Sequence, residues 1–171
     1  LDPHSDTPVE ILHVLLLGVV KYFWRDVIKR LKDEDKDILT ARLSSFDVSG
    51  LCMSPLNAKA LVNYSGSLIG RDFRAVVQAA PFVLHGLLPK ERIEVWLALS
   101  ALVPLVWEPQ IENVDQHIVR DLSCFRSAID HLLDCTCRLT PRWFNKPKFH
   151  ILLHLPDHIR RFGPAILFAT E

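Results

Sequence analysis

The sequence predicts an all-α domain of about six to seven helices. Three observations carry that expectation. Apolar side chains recur at three- and four-residue spacing through most of the chain, and no segment alternates apolar with polar residues as a half-buried strand would. Prolines, glycines and short polar side chains fall between the apolar runs, where helices start and stop. At 171 residues, 49% of them apolar and only 6 of them glycine, one domain with its own core is the natural count.

Thr7-Pro8-Val9-Glu10 has the form of a capping box. The Thr7 hydroxyl and the Glu10 carboxylate would satisfy each other's amides, and Pro8 would occupy the first helical position. The helix expected over 7–31 includes Ile11, Leu15, Val19, Phe23, Trp24 and Val27 and is apolar almost all round, as in a helix sunk in a core. Lys21, Arg25, Lys29 and Arg30 near its end suit the negative pole of the helix dipole. Residues 32–37 are charged and read as a solvated loop or the start of the next helix. Residues 47–54 read as a loop. Ser54-Pro55 is expected to open a short helix to about 62, closed by Tyr64-Ser65-Gly66-Ser67. Phe73, Val76, Val77, Ala80, Val83, Leu84 and Leu87 mark a helix over 71–88 that Pro81 should kink or divide. Beyond Pro89 another helix spans 91–107. Val114, Ile118, Leu122, Phe125, Ile129 and Leu132 then form one apolar stripe. A last helix over 147–162 ends at Gly163-Pro164.

Several classes of function are disfavoured. The longest nearly continuous apolar stretch, 95–107, contains Pro104 and is shorter than the ~20 residues of a membrane span, so no membrane association is expected. Neither a signal peptide nor a lipidation pattern is present. Cys52, Cys124, Cys135 and Cys137 form no CxxC pair and read as small buried or half-buried thiols of a reducing compartment. There is no nucleophile elbow, phosphate-binding glycine loop or paired-carboxylate motif. His150, His154 and His158 lie four apart, the minimal helical geometry for metal ligands. No glutamate follows His150 as in a zincin, and Pro156 should bend the helix before His158 joins the face, so histidines bonded to backbone at a kink are the simpler reading. Glu10 and His13 share a face, and the capping box accounts for Glu10 without further function.

Twenty basic and 20 acidic side chains give a formal net charge of zero, which disfavours a free-standing basic nucleic-acid binder. The zero is a cancellation. Residues 108–134 carry 2 basic and 6 acidic groups, and residues 135–171 carry 6 and 2. In that last third Arg138, Arg142, Lys146, Lys148, Arg160 and Arg161 are interleaved with Trp143, Phe144, Phe149 and Phe162. Such a mixture suits a phosphate backbone, the bland alternative being solvated tips over a packed aromatic edge.

Three segments bear a resemblance to a known family. They are Asp6-Thr7-Pro8-Val9-Glu10-Ile11-Leu12-His13 with Leu17-Gly18-Val19-Val20-Lys21-Tyr22-Phe23, then Gly70-Arg71-Asp72-Phe73, and the long stretch from Lys146-Pro147-Lys148-Phe149-His150 through His154-Leu155-Pro156-Asp157-His158 to Gly163-Pro164-Ala165. Together they resemble the fungal Plavaka-like group of CACTA (En/Spm) DDE transposases, and the resemblance covers essentially the entire chain. It implies a transposon-encoded enzyme with an RNase H-like core interrupted by a helical insertion, in which carboxylates hold Mg²⁺ for DNA cleavage and strand transfer.

Under this resemblance, residues 1–165 are the helical insertion domain and residues 166–171 begin the return into the catalytic core. Glu171 takes the place of the family's catalytic, metal-binding glutamate. The two catalytic aspartates would precede Leu1, so neither Asp2 nor Asp6 is assigned that role. Glu10 and His13 occupy the family's Cys/Asp-x-x-His position, with Glu where Asp or Cys is usual. The start at Leu1, the single methionine Met53 and the stop at Glu171 read as the edges of a piece of a longer protein. The fragment alone is expected to be inactive and to hold no cofactor. Implied partners are transposon-end DNA, the remainder of the transposase core and a second copy of the chain, with a nuclear location. The alternative is a non-catalytic helical interaction domain, such as one domesticated from a transposon.

Overall fold

The computed structural model describes residues 6–51, 53–110 and 122–169. Among them the fold is all-α, and no strand occurs. A π-helical segment, Leu12–Val20, runs directly into α1 (Lys21–Arg30), followed by α2 (Asp33–Ser44), α3 (Ala58–Asn63), α4 (Gly70–Val83), α5 (Lys90–Val106) and α6 (Leu122–Leu139). A 3-10 turn, Pro141–Asn145, leads to α7 (Pro147–Leu152) and α8 (Leu155–Phe162), and a second, Ala165–Phe168, follows.

The first helix departs from expectation at its start and in its winding. The Thr7–Glu10 capping box does not form. The Val9 amide donates instead to His158 Nδ1 at 3.0 Å, a long-range bond that holds residues 8–10 out of the helix. The Glu10 carboxylate turns forward to accept from the amides of Leu12 and His13, each at 2.8 Å, so Glu10 is itself the cap. Beyond it the backbone takes the wider π winding, and the Lys21 amide reaches the Leu16 carbonyl. Seven of the nine residues in this segment are buried, as its all-round apolarity implies.

The π-helical segment lies against α7 and α4, while α5 packs on α4 and α6. Aromatic rings join these pieces. Phe23 of α1 lies 6.5 Å from Trp96 of α5, 4.8 Å from Trp143 of the 3-10 turn and 5.8 Å from Phe149 of α7. Trp24 is fully buried and donates its indole N–H to the Leu61 carbonyl at 2.9 Å. Asp26 ties α1 to α5 by accepting from Arg92 at 2.5 Å. Residues 32–37 resolve as a helix start, with Asp33, Glu34 and Asp35 in the first turn of α2, where their charge suits the dipole.

Other boundaries shift for local reasons. The short helix begins after Asn57, whose side chain accepts from the Ala60 amide at 3.1 Å, so Asn57 and not Ser54 is its cap. Pro81 neither divides nor ends α4. Having no N–H, it cannot donate to the Val77 carbonyl, and the Ser100 hydroxyl of α5 does so at 2.7 Å. The last predicted helix is divided at Leu153-His154, and Pro156 sits in the first turn of α8, where its missing donor costs nothing. Gly163 stops α8 with φ 89°. Phe125, Ile129 and Leu132 bury their side chains as the predicted stripe requires; residues 111–121 lie outside the described residues. Cys135 is buried, but Cys124 and Cys137 are exposed, contrary to the expectation of buried or half-buried thiols, because they point away from the Phe125, Ile129 and Leu132 stripe of α6; Cys52 lies outside the described residues.

Removing the Ser100 hydroxyl leaves the buried Val77 carbonyl without that donor. Ser100→Ala is therefore expected to lower unfolding free energy by about 1–3 kcal/mol. Restoring a backbone donor with Pro81→Ala should offset part of the loss, measured by urea denaturation of both single variants and the double variant.

Candidate functional site

The first and last of the three segments that carry the family resemblance come together, although they lie at opposite ends of the chain. His158 accepts from the Val9 amide, the Lys148 ammonium donates to the His13 carbonyl at 2.6 Å, and Arg161 pairs with Asp6. Gly18 permits this approach. A Cβ there would lie 2.7 Å from Lys148 Cδ and 2.9 Å from the His13 carbonyl oxygen.

Glu10 and His13 form a pair at 2.5 Å between Glu10 Oε2 and His13 Nδ1. Partial burial pushes the Glu10 pKa up, but the His13 amide and ring and the Leu12 amide together outweigh it and hold the group below its ordinary value. His158 is displaced downward, first by burial and then by His154 and Arg161, with Asp157 opposing. A neutral imidazole is also what the Val9 bond requires, since Nδ1 can accept only when it carries no proton.

The predicted basic set is divided by its partners. Arg138 pairs with Asp134 and Arg161 with Asp6, Lys148 is bound to backbone, and the Lys146 ammonium sits 4.3 Å from the centre of the Tyr22 ring. Among the described residues Arg142 and Arg160 form no ion pair. The interleaved aromatics belong largely to the protein's own packing. Phe149 is fully buried, Trp143 is half-buried against Phe23, and Phe162 lies between His158, which it meets at a tilt, and Phe168, which it meets edge-on.

His150 and His154 are exposed and face each other, with 3.3 Å between their Nε2 atoms; His158 instead turns its Nδ1 to Val9. No group of three His, Cys, Asp or Glu side chains that could hold a metal occurs among the described residues. Glu171 lies outside the described residues.

Two further features were not singled out in the sequence. A cleft of about 380 Å³ between α1 and the first 3-10 turn brings Arg25 and Lys29 to Lys146 beside Tyr22 and Trp143. A cavity of about 420 Å³ has Leu12, Leu16 and Ile69 in its lining and Arg71 and Arg74 with them, the Arg74 guanidinium lying 5.7 Å from the centre of the Trp107 ring. Apart from Lys146, their cations come from residues 1–107, where basic and acidic groups balance and charge counting gives no signal. The helical spacing of Arg25 and Lys29, one turn apart, was the available clue.

Acid is expected to destabilise the fold in two stages. As pH falls, the unfolded chain takes up the His158 proton first, because the folded value lies below the ordinary 6.5. The His158 contribution is therefore complete above that value and lost as pH falls through the lower folded value. The depressed Glu10 adds a second loss below its ordinary 4.5. Urea midpoints should decline from neutral to mildly acidic pH in the native sequence and decline less in His158→Gln.

No protein-family model, curated protein or solved structure matches this chain.

Proposed function

We propose that this chain is the helical insertion domain of a CACTA-type DDE transposase of the Plavaka-like group. Residues 1–165 form the insertion and 166–171 begin the return to the catalytic core. Its task is to hold transposon-end DNA while the remainder of the parent enzyme cuts and joins it. The observation that carries this reading is the meeting of the first and last family-like segments, bonded through residues 149 positions apart. Glu10, His13, Lys148 and His158 are then structural partners in one clamp, which gives a physical reason for motif residues that have no chemistry of their own.

The parent enzyme's Mg²⁺ would activate a water or 3′-hydroxyl and stabilise the leaving oxygen. The described residues offer no carboxylate set for it, and the reading assigns that role to Glu171 and to aspartates preceding Leu1. What this chain contributes is cationic surface. Arg142 and Arg160 remain from the basic last third, and Arg25, Lys29 and Lys146 add a cleft rimmed by Tyr22 and Trp143. A phosphate backbone needs such cations more than it needs net charge. Self-association and a nuclear location follow from the same reading.

The test is fluorescence anisotropy of a labelled DNA duplex carrying the element's ends, titrated with the purified chain over a range of salt. Binding is expected to weaken as salt rises, and each cation removed in Arg25→Glu, Lys29→Glu or Arg142→Glu should reduce the salt slope by about 1. Affinity and slope unchanged across these variants would overturn the assigned surface. Cleavage or joining of DNA by the chain alone with Mg²⁺ would overturn the insertion reading. Absence of binding at low salt would favour the interaction-domain alternative.

A further inference from the structure

We propose that His150 and His154 form a binding site for a divalent transition-metal ion, zinc fitting best, at the break between α7 and α8. Two imidazole nitrogens bound to tetrahedral zinc at their usual bond lengths stand roughly 3.3 to 3.4 Å apart, and the two Nε2 atoms here are 3.3 Å apart. The two rings meet in a T-shaped arrangement. Their centroids lie 5.0 Å apart, well beyond the nitrogen separation, and their planes cross at 80°. Without metal, one ring must hold a proton on Nε2 to bond the other. When a metal ion binds, that proton passes through water to Nδ1 of the same ring, so each neutral ring offers its Nε2 lone pair to the metal and keeps its single proton on Nδ1.

The neighbourhood favours this pair over other groups. Both rings are exposed, so an ion reaches them with part of its hydration shell, and water fills the other coordination positions. Asp157 is occupied by Arg126 at 2.5 Å, and His158 is committed to Val9. The rival pair, His131 with Cys135, has its sulfur 3.8 Å from His131 Nε2. Burial, the largest influence there, pushes the Cys135 thiol up and so works against the thiolate that zinc requires. Imidazole nitrogens select zinc, copper or nickel over the hard Mg²⁺ ion, so this site is separate in chemistry from the Mg²⁺ of the proposed parent enzyme. Because His150 belongs to α7 and His154 precedes the first turn of α8, a shared ion would tie the two helices across their break. That is the corner from which Lys148 and His158 reach the N-terminal segment.

Isothermal titration of the purified chain with zinc chloride, in a non-chelating buffer at neutral pH, tests the assignment. One zinc ion per chain is expected. His150→Ala or His154→Ala should weaken binding at least about tenfold, a loss that even outer-shell changes produce at metal sites. Cys135→Ser should leave binding unchanged, and magnesium chloride should give no binding heat. Zinc should raise the melting temperature of the native sequence in a concentration-dependent manner and not that of the double histidine variant. Circular dichroism of that variant without metal checks its fold. Zinc affinity retained in the double variant, no zinc binding to the native sequence, or loss of binding in Cys135→Ser would each overturn the proposal.

Discussion

The close approach of α7 to the π-helical segment is the constraint on which the rest of the structure depends. Gly18 provides it. Any side chain there would press on Lys148 Cδ and on the His13 carbonyl oxygen, and overpacking of that kind costs about 1–3 kcal/mol, a large share of the roughly 5–15 kcal/mol that holds a typical domain folded. With glycine in place, the Lys148 stem lies along the helix and its ammonium reaches the His13 carbonyl. Phe149, the next residue, enters the aromatic cluster beside Phe23. The Arg161–Asp6 pair sits at the same junction, with the arginine about half exposed. Exposed pairs contribute at most about 1 kcal/mol, so the packing around Gly18 and the bond from Val9 to His158 dominate.

The all-α class and most of the helices were legible because apolar spacing is set locally. The stripe through Phe125, Ile129 and Leu132 and the stop at Gly163 show this directly. What was not legible depended on partners distant in sequence. Thr7-Pro8-Val9-Glu10 satisfies every local rule for a capping box, yet His158 takes the Val9 amide and Glu10 turns the other way. Pro81 is a helix breaker by local rule, yet Ser100 supplies the donor to Val77 and α4 continues. The candidate cations divided similarly. Counting charge in the last third gathered Arg138, Lys148 and Arg161, each of which has a partner inside the protein, and passed over Arg25 and Lys29 because acids elsewhere in the first 107 residues cancel them.

Structure and proposed function meet at the junction of the two terminal segments. If the chain serves as an insertion within a larger enzyme, it must hold its own ends together so that the interrupted core can continue across it. The contacts among Asp6, Val9, His13, Lys148, His158 and Arg161 do this with one half-buried bond and two at the surface, leaving Arg25, Lys29, Arg142 and Arg160 on the outside. Function in this reading comes from position and charge, with the chemistry supplied elsewhere. His150 and His154 stand at the edge of the same junction, where a bound ion would stiffen the turn that presents His158.

Hydrogen exchange of the Val9 amide tests the central claim most directly. Val9 lies outside the first helix, so its protection depends on His158. Slow exchange of that amide is expected in the native sequence, well below the free-peptide rate, and its protection should collapse in His158→Ala while core amides such as those of Val76 and Leu99 stay protected. Free-peptide exchange at Val9 in the native sequence, or protection unchanged by His158→Ala, would contradict it.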